Sequence, residues 1–312
     1  MRIFQKILYL LFVLLAVSFM SFFLSDISSI DSARAIAHHI YGNPTPEQIE
    51  TVCKEKGLDK HFHLRYELWL RGVLRGDFGI SYQTNNPVSR DIAGKFLATV
   101  VLVAAALFWI LILTVSLSLL SVSKRKFLFK KFLQIFTILG ISIPSFWLGY
   151  LLLTAFAVCI PIFKVVDFGN LKSIILPSFT LAIPITSAAV RMLKTLLLEN
   201  MKEDYVIYAR ARGLSDRRIL WKYVLKNALP PMVTLFFQNI GMMIGGSAIV
   251  ESVFSWQGMG SYFVSSVITG DVPAITGCVL ILGVVFVVCN EVGEIVNGLL
   301  NPHMRSKKRG AV

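Results

Sequence analysis

The sequence predicts an all-α, polytopic membrane protein with six transmembrane helices. Three observations carry this. The 312 residues are 55% hydrophobic and only 16% charged, with a mean hydropathy of +0.68; soluble domains carry about 25% charged residues. The charges cluster and leave several apolar runs near the roughly 20 residues that cross a bilayer. Lysine and arginine alternate in density from one inter-span segment to the next, as they do across a membrane.

The first span covers residues 7–24, behind Arg2 and Lys6. Its apolar core exceeds the roughly 7–15 residues of a signal peptide, so it reads as an uncleaved helix despite the small residues Ala35 and Ala37. Residues 26–95 then form a small extracytoplasmic insertion. In it, Thr45-Pro46-Glu47-Gln48 starts a helix: Thr45 caps, Pro46 fits the first turn and Gln48 reaches back to the cap. Ile49, Val52 and Cys53 share one face, and Gly57 ends the helix. A second amphipathic piece covers 62–74 with Tyr66, Trp69 and Leu70, and Gly76-Asp77-Phe78-Gly79 turns the chain.

Residues 96–312 hold the other five spans. The second is 96–122. The third, 132–159, has Pro144 near its middle; the fourth, 173–192, has Pro177 and Pro184. Each proline is expected to kink a membrane helix. The fifth, 229–253, carries Gly241 and Gly245 at a spacing that allows close helix contact, with Gly246 beside them. The outer segment 254–273 lacks Lys and Arg, and the sixth span is 274–300.

Topology follows from charge. Lys and Arg number 2 before the first span, 5 in 124–131, 9 in 191–227 and 4 in the tail of Arg305, Lys307, Lys308 and Arg309, so 20 of 31 fall on one side. The insertion holds 9, balanced by 9 acids, and the short loops opposite hold only Lys164 and Lys172. Both termini are therefore expected in the cytoplasm. The same bias accounts for the net charge of +13 without nucleic acid.

Several chemistries find no motif. There is no G-x-x-x-x-G-K-[ST] loop for nucleotide phosphates, no G-x-S-x-G and no H-E-x-x-H. No catalytic residues and no cofactor are expected in this chain. Cys53, Cys159, Cys278 and Cys289 show no CxxC pairing and read as small hydrophobes. His38-His39, His61 and His63 lie in the insertion near Cys53. Imidazoles suit borderline metals, yet neither spacing is an established zinc pattern, and ordinary surface histidines are the alternative to a metal site at His61 and His63. Glu291 and Glu294 share a face of the sixth span, as pathway carboxylates or as interfacial ion-pair partners. Glu251 and Asp271 flank the outer mouth, as an acidic entrance or as solvated rim residues.

The segment 193–228 is the unusual one. Ser215 is placed to cap a helix over 216–227. Arg218, Lys222 and Lys226 recur every fourth residue as a basic face; Leu220 with Val224, and Trp221 with Leu225, fall on others. Tyr205, Tyr208 and Ala209 form a small-and-aromatic patch upstream, and Gly213 hinges the two pieces with positive φ. A basic helix lying on anionic lipid explains the charge but not the small residues before the glycine.

Glu203-Asp204-Tyr205-Val206, Ala209-Arg210-Ala211-Arg212-Gly213-Leu214 and Asn227-Ala228-Leu229-Pro230 resemble the conserved cytoplasmic loop of ABC-importer permeases in the peptide and nickel branch. Further matches run in order along the chain: Asp77-Phe78-Gly79-Ile80-Ser81, Ile143-Pro144-Ser145-Phe146-Trp147, Glu251-Ser252-Val253-Phe254-Ser255-Trp256 with Gly258 and Gly260, and Asn301-Pro302-His303-Met304-Arg305. Departures are Ile207, Tyr208 and Ala209 where the general pattern has Glu-Ala-Ala, Gln257 where proline is usual, and His303 where arginine is usual.

The resemblance implies a type I ABC importer permease fold. It implies partners: a second, related permease, two ATPase subunits that bind ATP and Mg, and an extracytoplasmic substrate-binding protein. It assigns ATPase coupling to Asp204, Tyr205, Ala209, Arg210, Ala211, Arg212, Gly213, Leu214 and Ser215. Pro44-Thr45-Pro46-Glu47, the Asp77-Phe78-Gly79-Ile80-Ser81 run and Phe286-Val287-Val288-Cys289-Asn290 look most like nickel-importer permeases, so nickel or a nickel chelate is expected, with dipeptides or oligopeptides as the alternative. A stand-alone membrane enzyme or sensor is the reading of another class.

Overall fold

The computed structural model describes residues 2–27, 32–55, 57–122, 127–165 and 168–300. The basic residues Lys124, Arg125 and Lys126, Asp167, and the 301–312 tail with its Asn-Pro-His-Met-Arg run lie outside them. The regular secondary structure among the described residues is helical, apart from one isolated antiparallel bridge, Ile80 to Pro87. The chain divides into two compact units, Met1–Val100 with Ser255–Val287, and Val101–Phe254 with Val288–Val312.

The first unit begins with α1 (Arg2–Ile27) and α2 (Ser32–Tyr41), the latter unanticipated from sequence. α3 (Pro46–Glu55) starts as expected: Thr45 N donates to Gln48 Oε1 at 2.8 Å and Gln48 N to Thr45 Oγ1 at 3.3 Å. Ile36 and Ala37 of α2 and Val52 of α3 bury each other, with Ile49, Leu58 and Tyr82 around them. α4 (Phe62–Val73) packs on α1. The start of α5 (Val88–Val122), α12 (Met259–Thr269) and the first part of α13 (Val272–Leu300) complete this unit. Val88, Ile92, Met259, Tyr262, Ala274 and Cys278 form their shared core. α12 lies in what the sequence presents as a bare outer segment. Gly258 precedes its first turn, and Gly270, left-handed at φ 70°, closes it.

The second unit holds the rest of α5 with α6 (Phe127–Ser142), α7 (Ser145–Leu153), α8 (Ile175–Asn200), α9 (Asp204–Ala211), α10 (Asp216–Ile219) and α11 (Leu225–Val253). The expected third span departs from a simple kink. Pro144 sits before α7 in extended conformation (φ −60°, ψ 138°), and the chain bends by 110° between Phe127–Ser142 and Ser145–Cys159. The ring removes the amide that would continue α6, so a second helix starts instead. That second helix ends in a π turn, Thr154–Cys159. Pro184 stays inside α8, and Pro230 and Pro231 inside α11. Among the described residues four helices are long and apolar enough to cross a membrane, Val88–Val122, Ile175–Asn200, Asp216–Val253 and Val272–Val296. The bent pair makes a fifth if it counts as one span, and α1 carries a shorter apolar stretch, Leu11–Phe23.

α6 lies close against α8. A Cβ at Gly140 would overlap Ser187 Oγ and meet Ile183. Gly140→Ala is therefore expected to lower the thermal midpoint of the purified protein, and Ser187→Gly in that background to restore part of it. Gly94→Ala in α5, where nothing lies within 4 Å, should leave the midpoint unchanged or raise it, alanine being favoured over glycine in a helix by about 1 kcal/mol.

Candidate functional site

The 193–228 segment folds as a compact elbow. α8 runs to Asn200, later than its expected end at 192, because Leu193 and Leu197 face a core and not water. Asn200 then ties the turn: its Nδ2 donates to Leu196 O at 2.9 Å, and Tyr205 Oη donates to its Oδ1 at 3.0 Å. α9 follows with Val206 and Ala209 inward. Its end is a Schellman closure. Gly213 N donates to Arg210 O at 2.9 Å and Leu214 N to Ala209 O at 3.2 Å, with Gly213 at φ 75°. That left-handed residue lets the chain reverse while satisfying the last carbonyls, and Leu214 packs against the buried core.

Ser215 stands at the N-cap of α10 with extended backbone, but its side chain makes no capping bond. The helix it opens does not stop at 227. It passes through a π turn, Leu220–Val224, into α11. The π turn changes which residues face inward. Ile219 and Leu220, then Val224 and Leu225, then Ala228 are buried, a five-residue step where four was expected. Trp221 therefore does not share a face with Leu225; it is 53% exposed. The extra residue of a π bulge leaves no mark in a four-residue repeat.

The outward surface combines rings and cations. Tyr208 is 72% exposed, Ile207 59% and Trp221 53%, and Arg210, Arg212, Arg217, Arg218, Lys222 and Lys226 are exposed along the same segment. Arg210 Nε meets Asp216 Oδ1 at 3.1 Å across the reversal. Both are exposed, so the pair contributes at most about 1 kcal/mol. Sequence reasoning passed over Asn200 and Asp216; their only signal was position at the two ends of the small-residue run. Of the proposed coupling residues, Asp204, Arg210, Ala211, Arg212, Gly213 and Ser215 are exposed, Tyr205 and Leu214 half-buried, and Ala209 buried. A Cβ at Gly213 meets nothing within 4 Å.

The acidic candidates sit differently from expectation. Glu251 and Asp271 are both fully buried, so neither forms a solvated rim. Ser247 Oγ donates to Glu251 Oε1 at 2.8 Å within α11. Asp271 caps α13 by accepting from Ala274 N at 3.3 Å, while its other oxygen accepts from Ser81 Oγ at 2.5 Å and Gln83 N at 3.2 Å. This clasp gives the Asp77-Phe78-Gly79-Ile80-Ser81 run its role: a tight turn, with Ser81 N bonded to Asn86 O and Val88 N to Gly79 O, delivers Ser81 to the carboxylate. Burial pushes the Tyr82 phenol beside it up to about 12, and the Asp271 carboxylate adds to that push. Trp256 is equally structural, its Nε1 donating to Ala98 O at 3.0 Å, while Thr99 Oγ1 accepts from Met259 N at 2.8 Å.

Glu291 is half-buried and Glu294 exposed on α13. His61 and His63 are exposed with rings stacked 5.8 Å apart. Among the described residues no third metal-ligating group joins them. Between α5, α8 and α11 the second unit contains an open cleft of about 730 Å³. Its wall is almost wholly apolar, including Pro184, Met192, Met232 and Phe236; Thr114 and Asn239 are its polar side chains.

Comparison with known proteins places the chain among transport permeases. Residues 110–306 match the family described as binding-protein-dependent transport system inner membrane component, and residues 1–104 match the corresponding N-terminal family. The chain is 32% identical to the glutathione transport system permease protein GsiC of Salmonella typhimurium, over 97% of this chain and 98% of that one. It is 30% identical to the metal-staphylopine import system permease protein CntB of Staphylococcus aureus, over 95% of each. Among solved structures, the MetNI methionine ABC transporter in inward-facing form shares the fold, with a TM-score of 0.56 and 18% identity over 67% of this chain and 95% of that one.

Asp271→Ala is expected to remove the acceptor of two buried donors, Ser81 Oγ and Ala274 N, and of the more exposed Gln83 N. Leaving buried donors unpaired costs about 1–3 kcal/mol each, so the thermal midpoint should fall clearly, and trypsin should cut faster at Arg75 and Arg90. Asp271→Asn, which keeps one carbonyl oxygen, should lie between Asp271→Ala and the unmodified chain in both measurements.

Proposed function

This chain belongs to the inner-membrane permeases of binding-protein-dependent ABC importers, in the peptide and nickel branch, and from that premise we propose that its elbow is where separate ATPase subunits drive it. The observation that carries the proposal is the outward face of α9 and the π turn. Tyr208, Ile207 and Trp221 are exposed on a segment that also exposes six cations, the residue types of an anchor-and-charge surface, and the buried side of that segment is locked into the helix core. The chain carries no phosphate-binding loop of its own, so the energy must enter from a partner. Asp204, Tyr205 and the run from Ala209 to Ser215 form this coupling segment.

In the full assembly we place six spans with both termini in the cytoplasm, a second and related permease, two ATPase subunits holding ATP and Mg, and an extracytoplasmic substrate-binding protein. The substrate is a small peptide-like molecule or its metal chelate, with a nickel chelate as the first choice and a dipeptide or oligopeptide as the alternative. Two features support this. One relative is named for glutathione and the other for metal-staphylopine. The apolar cleft, read as part of the pathway, has no carboxylate, imidazole or thiol in its wall, so a bare Ni²⁺ would find no replacement there for its water ligands; a metal carried inside an organic chelator needs none. Pathway roles for Glu251, Asp271, Glu291 and Glu294 have less support, since the first two are consumed in internal hydrogen bonds.

Two measurements test these statements. Gly213→Leu forces a left-handed backbone on a side-chain-bearing residue, a local cost of about 1–2 kcal/mol, and thrusts its bulk outward. Expression and assembly should persist while uptake collapses and ATPase activity becomes independent of substrate. Unchanged uptake would refute the coupling role, and failure of any ATPase subunit to co-purify would favour a stand-alone enzyme or sensor. For substrate, labelled nickel chelate, free nickel and labelled dipeptide are compared in a deletion strain; uptake of the chelate alone is expected, and uptake of the dipeptide alone selects the alternative.

A further inference from the structure

We propose that α4 is an interfacial helix that lies in the lipid headgroup boundary and anchors the insertion to the bilayer through Leu64 and Leu68. The inference rests on the membrane character of α1 and is independent of the elbow.

Six aromatic rings join α4 to α1. Phe19 meets Phe62 and Tyr66 with centroids at 5.7 and 5.5 Å, and Phe22 meets Phe62, Tyr66 and Trp69 at 5.6, 5.6 and 5.5 Å. Phe23 meets Phe62 at 5.9 Å. Ser18 Oγ and Tyr66 Oη are hydrogen-bonded at 2.9 Å. All these α1 residues fall within 18–23, at the end of its apolar stretch Leu11–Phe23. An apolar stretch ends where the hydrocarbon ends, so the contact marks one membrane boundary whichever way α1 is oriented.

α4 also stays at that level. Its contact residues run from Phe62 to Trp69, about 10 Å of helix at 1.5 Å per residue. Trp69 nevertheless still touches Phe22, the same ring that Phe62 touches. A helix descending along α1 would instead have carried Trp69 about two turns away from Phe22. α4 therefore crosses α1, in or near the plane of the interface.

The rest of α4 suits that plane. Leu64 and Leu68, one turn apart, are 42% and 56% exposed and point away from α1. On the helical wheel the exposed Arg71 borders that leucine stripe, placed so that its cation reaches lipid phosphates while its stem stays in apolar surroundings. Arg71 also pairs with Glu67 at 2.5 Å. Tyr66 and Trp69 are the residue types of interfacial belts. Apolar residues in the acyl boundary with basic residues at headgroup level is the composition of a monotopic amphipathic helix. The competing occupant of the leucine stripe is the extracytoplasmic binding protein, which meets water-exposed surface and not lipid.

The test uses the full permease complex in phosphatidylethanolamine–phosphatidylglycerol bilayers, with Cys53, Cys159, Cys278 and Cys289 replaced. A nitroxide is placed at Leu68→Cys, at Leu64→Cys and, as the water-facing reference, at Glu67→Cys. At 64 and 68, oxygen should relax the label severalfold more effectively than chromium oxalate; at 67 the order should reverse. Should chromium oxalate dominate at 64 and 68, or should those labels become shielded only when binding protein is added, the lipid assignment is overturned. Two leucine positions keep the result decisive if one variant fails to assemble.

Discussion

The burial of the elbow's inner face is the interaction on which the second unit depends. Val206, Ala209, Ile219, Leu220, Val224 and Leu225 pack against Leu193 and Leu197 of α8 and Leu119 of α5. Each large aliphatic side chain so buried contributes about 1.5–3 kcal/mol. The elbow is thus not a loop hung between two helices. Its first helix is cemented to the helix before it, and its second is continuous with the helix after it. A push on Tyr208 or Trp221 has no slack loop to absorb it and reaches α8 and α11 directly. Close packing of this kind passes displacement on without damping it.

Two kinds of local device hold this arrangement in place. Glycines at left-handed φ, Gly213 and Gly270, close helices where the chain must reverse and bring following amides back to carbonyls of the last turn. Buried carboxylates accept donors from their own and neighbouring segments. Asp271 gathers Ser81, Gln83 and Ala274, and Glu251 takes Ser247. Burying charge without such donors is costly enough to disfavour the fold. These acids accordingly read as structural members of their units, which removes them from the surface where a cation would meet them.

Much of this was legible in the residues. Long apolar runs located α1, α5, α8, α11 and α13, because burial in lipid and burial in protein select the same side chains, but they placed the start of α5 at 96 rather than 88 and the end of α8 at 192 rather than 200. The Thr45–Gln48 box and the Gly213 reversal were legible because their geometry admits few residue types. Three features were not. The π turn at 220–224 shifted Trp221 outward, since an inserted residue changes phase without changing composition. α12 was hidden because Gly258 and Gly270 bracket it like loop residues, while Ser261, Ser265, Ser266 and Thr269 break up its apolar residues and it is too short to read as a span. The burial of Glu251 and Asp271 depended on partners four and 190 residues away; the distant pairing in particular carries no local signal.

The central claim is that the elbow's aromatic-and-basic face seats the ATPase subunit. Photo-cross-linking from that face tests it most directly. A benzophenone amino acid replacing Tyr208 or Trp221 in the assembled transporter should yield an adduct with an ATPase subunit, and the same group replacing exposed Ile268 of α12 should not. Absence of any ATPase adduct from both elbow positions, with an adduct from position 268 instead, would contradict the account.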